Sequence, residues 1–349
     1  MVIYLLLEVV QQVQQETNMR KINGVPVEAH TDLSNLTGGE VLKWSGTNMA
    51  WEDQDSTGFV PVVWYGGRGV FGGGHTGSAK VNTIDYITIS TTGNATDFGD
   101  MLATGYEGSG CSDGTRGIFT GYIDGGDNRI DEISYITVGT PSNATDFGNL
   151  SQIVSSPGCC SDGTTGFIMG GGTTGAQRNN IEYITFSTLS NTADFGDLTS
   201  SREPVGGCND ATRGIAAGGA SSNVIDYFTM ATSGNATDFG DLTLSRQVSA
   251  STSDTTRGLF ANGWTGSVYS DTIDYITIQT TGNATDFGNL SVGSSSAEAT
   301  GDATKGIFVL GSQSRGTIEY VTIASIGNTT DFGDLSGTTR GQVASCSGD

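Results

Sequence analysis

From about residue 60 onward the chain is written in short apolar runs that alternate with period two and are β-branched or aromatic. Ile84, Tyr86 and Thr88, or Ile273, Tyr275 and Thr277, show the pattern. Alternation at that period predicts half-buried β-strands, and no helical stripe interrupts it within a repeat. The runs recur. Asp-Phe-Gly begins at Asp97, Asp146, Asp194, Asp238, Asp286 and Asp331, six copies about 47 residues apart. Each copy keeps one order of pieces: a Gly- and Ser-rich stretch, SDGTRG, an apolar run ending in glycines, a loop, IDYITI, a turn, then NATDFGDL. SDGT and the TTGN or TSGN segments are tight-turn sequences, because Asp, Asn and Gly accept the backbone angles that hairpin turns require. Each copy therefore reads as two hairpins, or four antiparallel strands.

A four-stranded unit of this size cannot bury both faces alone, so it must stack on its neighbours. The architecture that this predicts is a β-propeller. Glycines follow the second strand (Gly72, Gly73, Gly74; Gly170, Gly171, Gly172; Gly218, Gly219), and an aromatic sits in the third (Tyr86, Tyr135, Tyr183, Tyr227, Tyr275, Tyr320). This layout resembles the kelch-like propeller family over about 290 residues. It departs in the fourth strand, where the Phe of DFGDL lies near the place of a kelch Trp. The expected fold is all-β, a six-bladed kelch-like β-propeller of four-stranded antiparallel blades over residues 59–349, preceded by an N-terminal attachment segment over 1–58. Gly341 to Ser347 matches a first strand and Arg68 to Phe71 a second, so the two are predicted to share one blade and leave no open edge. The run FVPVVWY, residues 59–65, competes for the same slot.

Residues 1–58 do not fit the repeat. Val9 to Gln15 suits a short helix that meets copies of itself in an oligomer, or a strand in an assembly, and its period does not choose between them. The next stretch reads DLSN from Asp32, then Gly38, Gly39, Val41, Leu42, Lys43 and Trp44, then Trp51. It resembles a module of bacteriophage tail-fibre and other virion appendage proteins, and the NATDFGDL repeats are similar to those in structural proteins of phages of marine cyanobacteria. The resemblance implies a virion protein assembled in the host cytoplasm and attached to other virion proteins through Leu42, Trp44 and Trp51. It also implies a homo-oligomer, a trimer among the options, with the propeller displayed towards a host surface glycan or protein. Read from the residues alone, Trp44 and Trp51 equally suit a small hairpin that pairs two aromatics.

Composition narrows the function further. Lys and Arg number 15 against 37 Asp and Glu, a net charge of −22, which argues against nucleic acid and anionic membrane surfaces as partners. His occurs only at positions 30 and 75, and the five Cys form no CxxC pair, so no catalytic, cofactor-binding or metal-ligating residue is assigned. The apolar opening run is interrupted by Glu8 and lacks a basic start, so neither a membrane segment nor a secretion signal is expected. A glycan hydrolase needs two carboxylates at one special site, whereas the acidic residues here repeat and no copy stands out. The expected function is a non-enzymatic virion structural protein. A catalytic propeller acting on host glycan and a cellular kelch-like adaptor are the alternatives.

The repeated DFG is not the kinase motif, since no phosphate loop, β3 Lys or HRD accompanies it. Phe98, Phe147, Phe195, Phe239, Phe287 and Phe332 are expected to plug between adjacent blades, with the following Gly at a bulge. Asp113, Asp162, Asp210, Asp254 and Asp302 fall at equivalent turns on one rim, either capping their own backbone or forming a carboxylate crown for a cation such as calcium. Cys111, Cys160, Cys208 and Cys346 share one slot, filled by Thr252 in another copy, and are expected as free thiols too far apart to bridge. The sequons at Asn94, Asn143, Asn235, Asn283 and Asn328 are read as turn residues. Trp64, Tyr65 and Trp264 suit either packing or sugar stacking. The loops Asp124 to Asn128 and Gln177 to Asn180 differ between copies and are the expected contact sites.

Overall fold

The computed structural model describes residues 66–220, 222–248, 250–311, 316–337 and 339–348, together with the backbone of four short strands nearer the N-terminus. The chain divides into two units, residues 1–60 and 61–349. Every regular element among the described residues is a strand.

In the second unit six four-stranded antiparallel sheets follow one another as the blades of a propeller. Blade I combines Ala344–Gly348 with Arg68–Gly72, Thr83–Thr88 and Thr96–Asp100; blade II is Ser109–Ser112, Arg116–Thr120, Ile130–Thr137 and Thr145–Val154. Blade III is Gly158–Ser161, Thr165–Met169, Asn180–Thr185 and Ala193–Asp197; blade IV is Gly206–Asn209, Arg213–Ala217, Val224–Thr229 and Thr237–Asp241. Blade V is Ala250–Ser253, Arg257–Trp264, Tyr269–Thr277 and Thr285–Asn289; blade VI is Glu298–Gly301, Lys305–Val309, Thr317–Thr322 and Thr330–Asp334. The expected closure is present: Cys346 pairs with Val70 and Ala344 with Gly72, so strands from opposite ends of the repeat region share blade I.

Contacts between blades close the ring. The inner-strand slot residue of each blade points at the second strand of the next. A Cβ placed on Gly117 would lie 2.4 Å from Cys346 Sγ, on Gly166 3.1 Å from Cys111 Sγ and on Gly258 2.6 Å from Cys208 Sγ. Thr252 meets Gly306 and Thr300 meets Gly69 in the same way, which returns the circuit from blade VI to blade I. Cys160 joins Ala216 and Phe228 of blade IV in one cluster. The core is accordingly six separate clusters, one per junction.

The third strands differ from the period-two expectation of one wet face. Ile84, Asp85 and Ile87 are all buried, Tyr86 is half-buried and only Thr88 is exposed, and the other third strands repeat that pattern. The reason is stacking: a blade covered by neighbours on both sides has no solvent face until its rim.

In the first unit Val41–Trp44 pairs with Met49–Glu52 as a hairpin. Its register sets Trp44 across from Met49 and Trp51 across from Leu42, which puts the two tryptophans at diagonal positions of the expected hairpin. Residues 9–15 and the run 59–65, with Trp64 and Tyr65, lie outside the described residues. Among the described residues no helix is long and apolar enough to cross a membrane.

Candidate interaction face

Antiparallel blades put the first-to-second and third-to-fourth turns on one face of the ring. The second-to-third loops and the connections between blades lie on the other. The two faces are built differently.

On the first, the same devices recur in most copies. Asp113 Oδ1 accepts from the backbone N–H of Thr115 and Arg116 at 2.9 and 2.6 Å, and Asp162, Asp210, Asp254 and Asp302 do the same in their own turns. The turn cations lie over the Tyr of their own third strand, Arg68 on Tyr86 and Arg213 on Tyr227 at 4.5 and 4.6 Å. Each then donates to a carbonyl of the following blade: Arg68 to Val138, Arg213 to Ile278, Arg257 to Ile323 and Lys305 to Ile89. The sequon asparagines reach the other way. Asn143 Oδ1 accepts from Asp100 N–H at 3.0 Å, Asn283 from Asp241 at 3.1 Å, and Asn94 from Asp334 at 3.1 Å, which latches the outer rim across every junction. Asn191, which heads no sequon, makes the same bond to Asn149, so the amide is required by the junction and not by glycosylation.

The repeated Phe residues are buried at those junctions. Phe239 packs with Phe260, Ile276 and Ile278 of blade V, and Phe332 with Phe71, Ile87 and Ile89 of blade I. Phe98, Phe147, Phe195 and Phe287 occupy the equivalent places. Each meets its own third-strand Tyr edge-on at about 6 Å. The bulge is where the Gly permits it: Ile225 pairs with Gly240 and Asp226 with Asp238, so Phe239 is the extra residue.

A belt of buried carboxylates was hidden in the repeat. Asp85, Glu182, Asp226, Asp274 and Glu319 occupy one third-strand position and accept hydrogen bonds from Ser336, Ser151, Thr199, Thr243 and Ser291 of the preceding blade. Where the acid is Asp, a fully buried Arg from the connection into that blade neutralises it. Arg246–Asp274 and Arg340–Asp85 are 2.9 Å apart and Arg202–Asp226 2.5 Å. Where the acid is Glu, the longer side chain reaches a Thr of its own blade, Thr192 or Thr329, at 2.6 Å, and Glu182 also pairs with buried Arg178 at 3.2 Å. Burial alone raises the Glu182 carboxyl, but the hydrogen bonds from Ser151 and Thr192 and the charge of Arg178 outweigh it, leaving a net downward shift. At the I/II junction both halves are replaced: Ser134 stands for the acid, Leu102 for the hydroxyl, and buried Tyr122 fills the space. The sequence reading missed this belt, although the Asp/Glu restriction at one position in five copies was its visible signal.

The second face does not repeat. Blade I carries a loop with His75 and Lys80, blade II the pair Gly105–Tyr106 with Ile123–Asp124, blade III the hairpin Gly172–Thr173 with Ala176–Gln177, and blade V an extended hairpin ending in Trp264 and Tyr269. His75 and Tyr106 rings lie 5.4 Å apart, and Lys80 Nζ is 2.6 Å from Asp127. Asp124 Oδ1 caps its own loop through the N–H groups of Gly126 and Asn128, and these contacts hold its carboxyl below the ordinary value. Arg129 bonds Ser155 and Glu203, and with Thr173, Gln177 and Ser201 borders an open polar groove of about 590 Å³. Trp264 faces Tyr269 across its hairpin at 4.9 Å, a cross-strand pair with Tyr269 exposed.

Three carboxylates on the interblade side of this face break the repeat, which corrects the expectation that no acidic residue stands apart. Glu107 and Glu298 line a cavity of about 20 Å³ with Gln342, and Glu203 is close enough to Glu107 to oppose its ionisation. Burial, then Glu203, raises the Glu107 carboxyl; burial raises Glu298 well above the usual carboxylate range despite a hydrogen bond from Ser109. That space suits about one water and admits no sugar ring. Along the axis a second cavity of about 100 Å³ is lined by Cys111, Cys159, Ser161, Asn209, Ser253 and Ser347 among others. All five cysteines are free and buried, and among the described residues no group of His, Cys, Asp or Glu is arranged to hold a metal ion. No protein-family model matches the chain, and no curated protein matches it in sequence.

Proposed function

We propose that the chain is a non-enzymatic virion structural protein, a tail fibre or similar appendage, whose propeller presents its non-repeating face to a host surface or to another virion protein. The observation that carries the reading is the contrast between the faces. On one face the turn aspartates, turn cations and junction asparagines are engaged within their own turns or with a neighbouring blade, whereas the other face varies in loop length, charge and side chain from blade to blade. Variation confined to loops on a rigid scaffold is the arrangement that supports recognition. The likeness of Leu42, Trp44 and Trp51 to a virion-appendage module supports attachment through the first unit.

Two experiments test this. Mass spectrometry of particles encoded by the genome that carries the chain should find it as a stoichiometric component; its absence overturns the virion assignment. Replacing Gly125 to Asn128 and Gly172 to Gln177 by Gly-Ser linkers should abolish binding of the full chain to host cells without lowering its melting temperature. Binding that survives both replacements, but is lost when the turns at Asp113 and Asp254 are altered, would place recognition on the opposite face.

A further inference from the structure

Two buried thiols meet at one blade junction. The slot residue of each inner strand points forward to the next blade, as the contacts of Cys346, Cys111 and Cys208 show. The residue before it points back. Ser251 Oγ donates to Gly207 O at 2.8 Å, Ser345 Oγ to Ala299 O at 2.9 Å, and a Cβ on Gly110 would lie 2.6 Å from Ser345 O. These two directions send the slot residue of one blade and the preceding-position residue of the next into the same junction. Around the ring the residues that share a junction in this way are Cys346 and Gly110, Cys160 and Gly207, Cys208 and Ser251, Thr252 and Ala299, and Thr300 and Ser345. At the II/III junction the pair is Cys111 with Cys159, sulfur against sulfur. The two share a hydrogen bond and a packed cluster, and both line the axial cavity of about 100 Å³.

We propose that Cys111 and Cys159 are a modification site: a dithiol that a peroxide converts to a disulfide, stapling blade II to blade III beside the axis. A peroxide is small enough for a water-sized polar cavity. One thiolate attacks a peroxide oxygen, the O–O bond breaks, and hydroxide leaves as a sulfenic acid forms. The second thiolate then attacks the sulfenic sulfur and expels the oxygen as water once protonated. In sum two thiols lose two electrons and two protons, and one hydrogen peroxide becomes two waters. The partner thiol, then burial, raises the Cys111 pKa well above the ordinary thiol value, so little thiolate exists at neutral pH and the reaction quickens as pH rises.

The test is hydrogen peroxide treatment of the native full chain at pH 7 and pH 8.5, quenched with catalase and alkylated in denaturant. Free thiols should fall from five to three, faster at the higher pH, and mass spectrometry should find one linked species joining Cys111 to Cys159. Cys159→Gly installs the residue that blades II and IV carry at that position, and should form no linked species and lose at most one thiol. Five persistent thiols, a link between any other pair, or loss of two thiols in C159G would each overturn the assignment.

Discussion

Single side chains in this ring matter mainly by what they do between blades. Phe239 is buried against Phe260, Ile276 and Ile278, so Phe239→Ala removes a ring from a packed junction and should cost about 3–5 kcal/mol. Chemical denaturation would read this as a lower midpoint at unchanged slope. Glu298 tests the opposite kind of burial. Its folded pKa is raised, so the neutral acid is the form that the fold favours; its contribution is complete at low pH and is lost as pH rises through the folded pKa. Glu298→Gln stays neutral throughout and should therefore melt higher than the parent at pH 8 and no higher at pH 4. The Phe positions were legible in the sequence because they repeat without exception. Glu298 was not, since no equivalent residue elsewhere in the ring marks it, and its burial comes from the convergence of connections on the axis.

At the scale of strands and junctions, the four-strand blade and its turns could be read from period-two runs and turn chemistry, because both are local. The carboxylate belt escaped for a physical reason. In IDYITI the Asp looks like the wet half of an alternation, and its Arg partners, Arg202, Arg246 and Arg340, sit in the connections of only three copies. Once stacking removes the wet face, the acid has to be neutralised in place. Arg246→Ala would leave the Asp274 carboxylate buried with only the two hydrogen bonds from the Thr243 N–H and hydroxyl, and should cost about 3–5 kcal/mol. Replacing Arg246 by Met and Asp274 by Ser together should recover most of that loss, since the I/II junction already packs without the pair. A double variant no more stable than R246A, in paired urea titrations, would show that the belt acts through geometry alone.

For the whole molecule, the repeat count and the strand from 344 to 348 dictate a closed ring of six, and both were legible because each rests on copies of one pattern. The role of the faces was not, because the loops that set one face apart do not repeat and leave no pattern along the chain to read. The contrast between a self-latched face and a variable one is the basis of the functional reading. It holds only if the ring is closed and rigid. Closure depends on Ala344–Gly348 pairing with Arg68–Gly72. Hydrogen exchange on the full chain and on a chain ending at Val343 measures this directly. If that strand closes the ring, Val70 and its second-strand neighbours in blade I lose protection on truncation and the melting temperature falls. Unchanged protection at Val70, with unchanged melting, would contradict a ring closed by that strand.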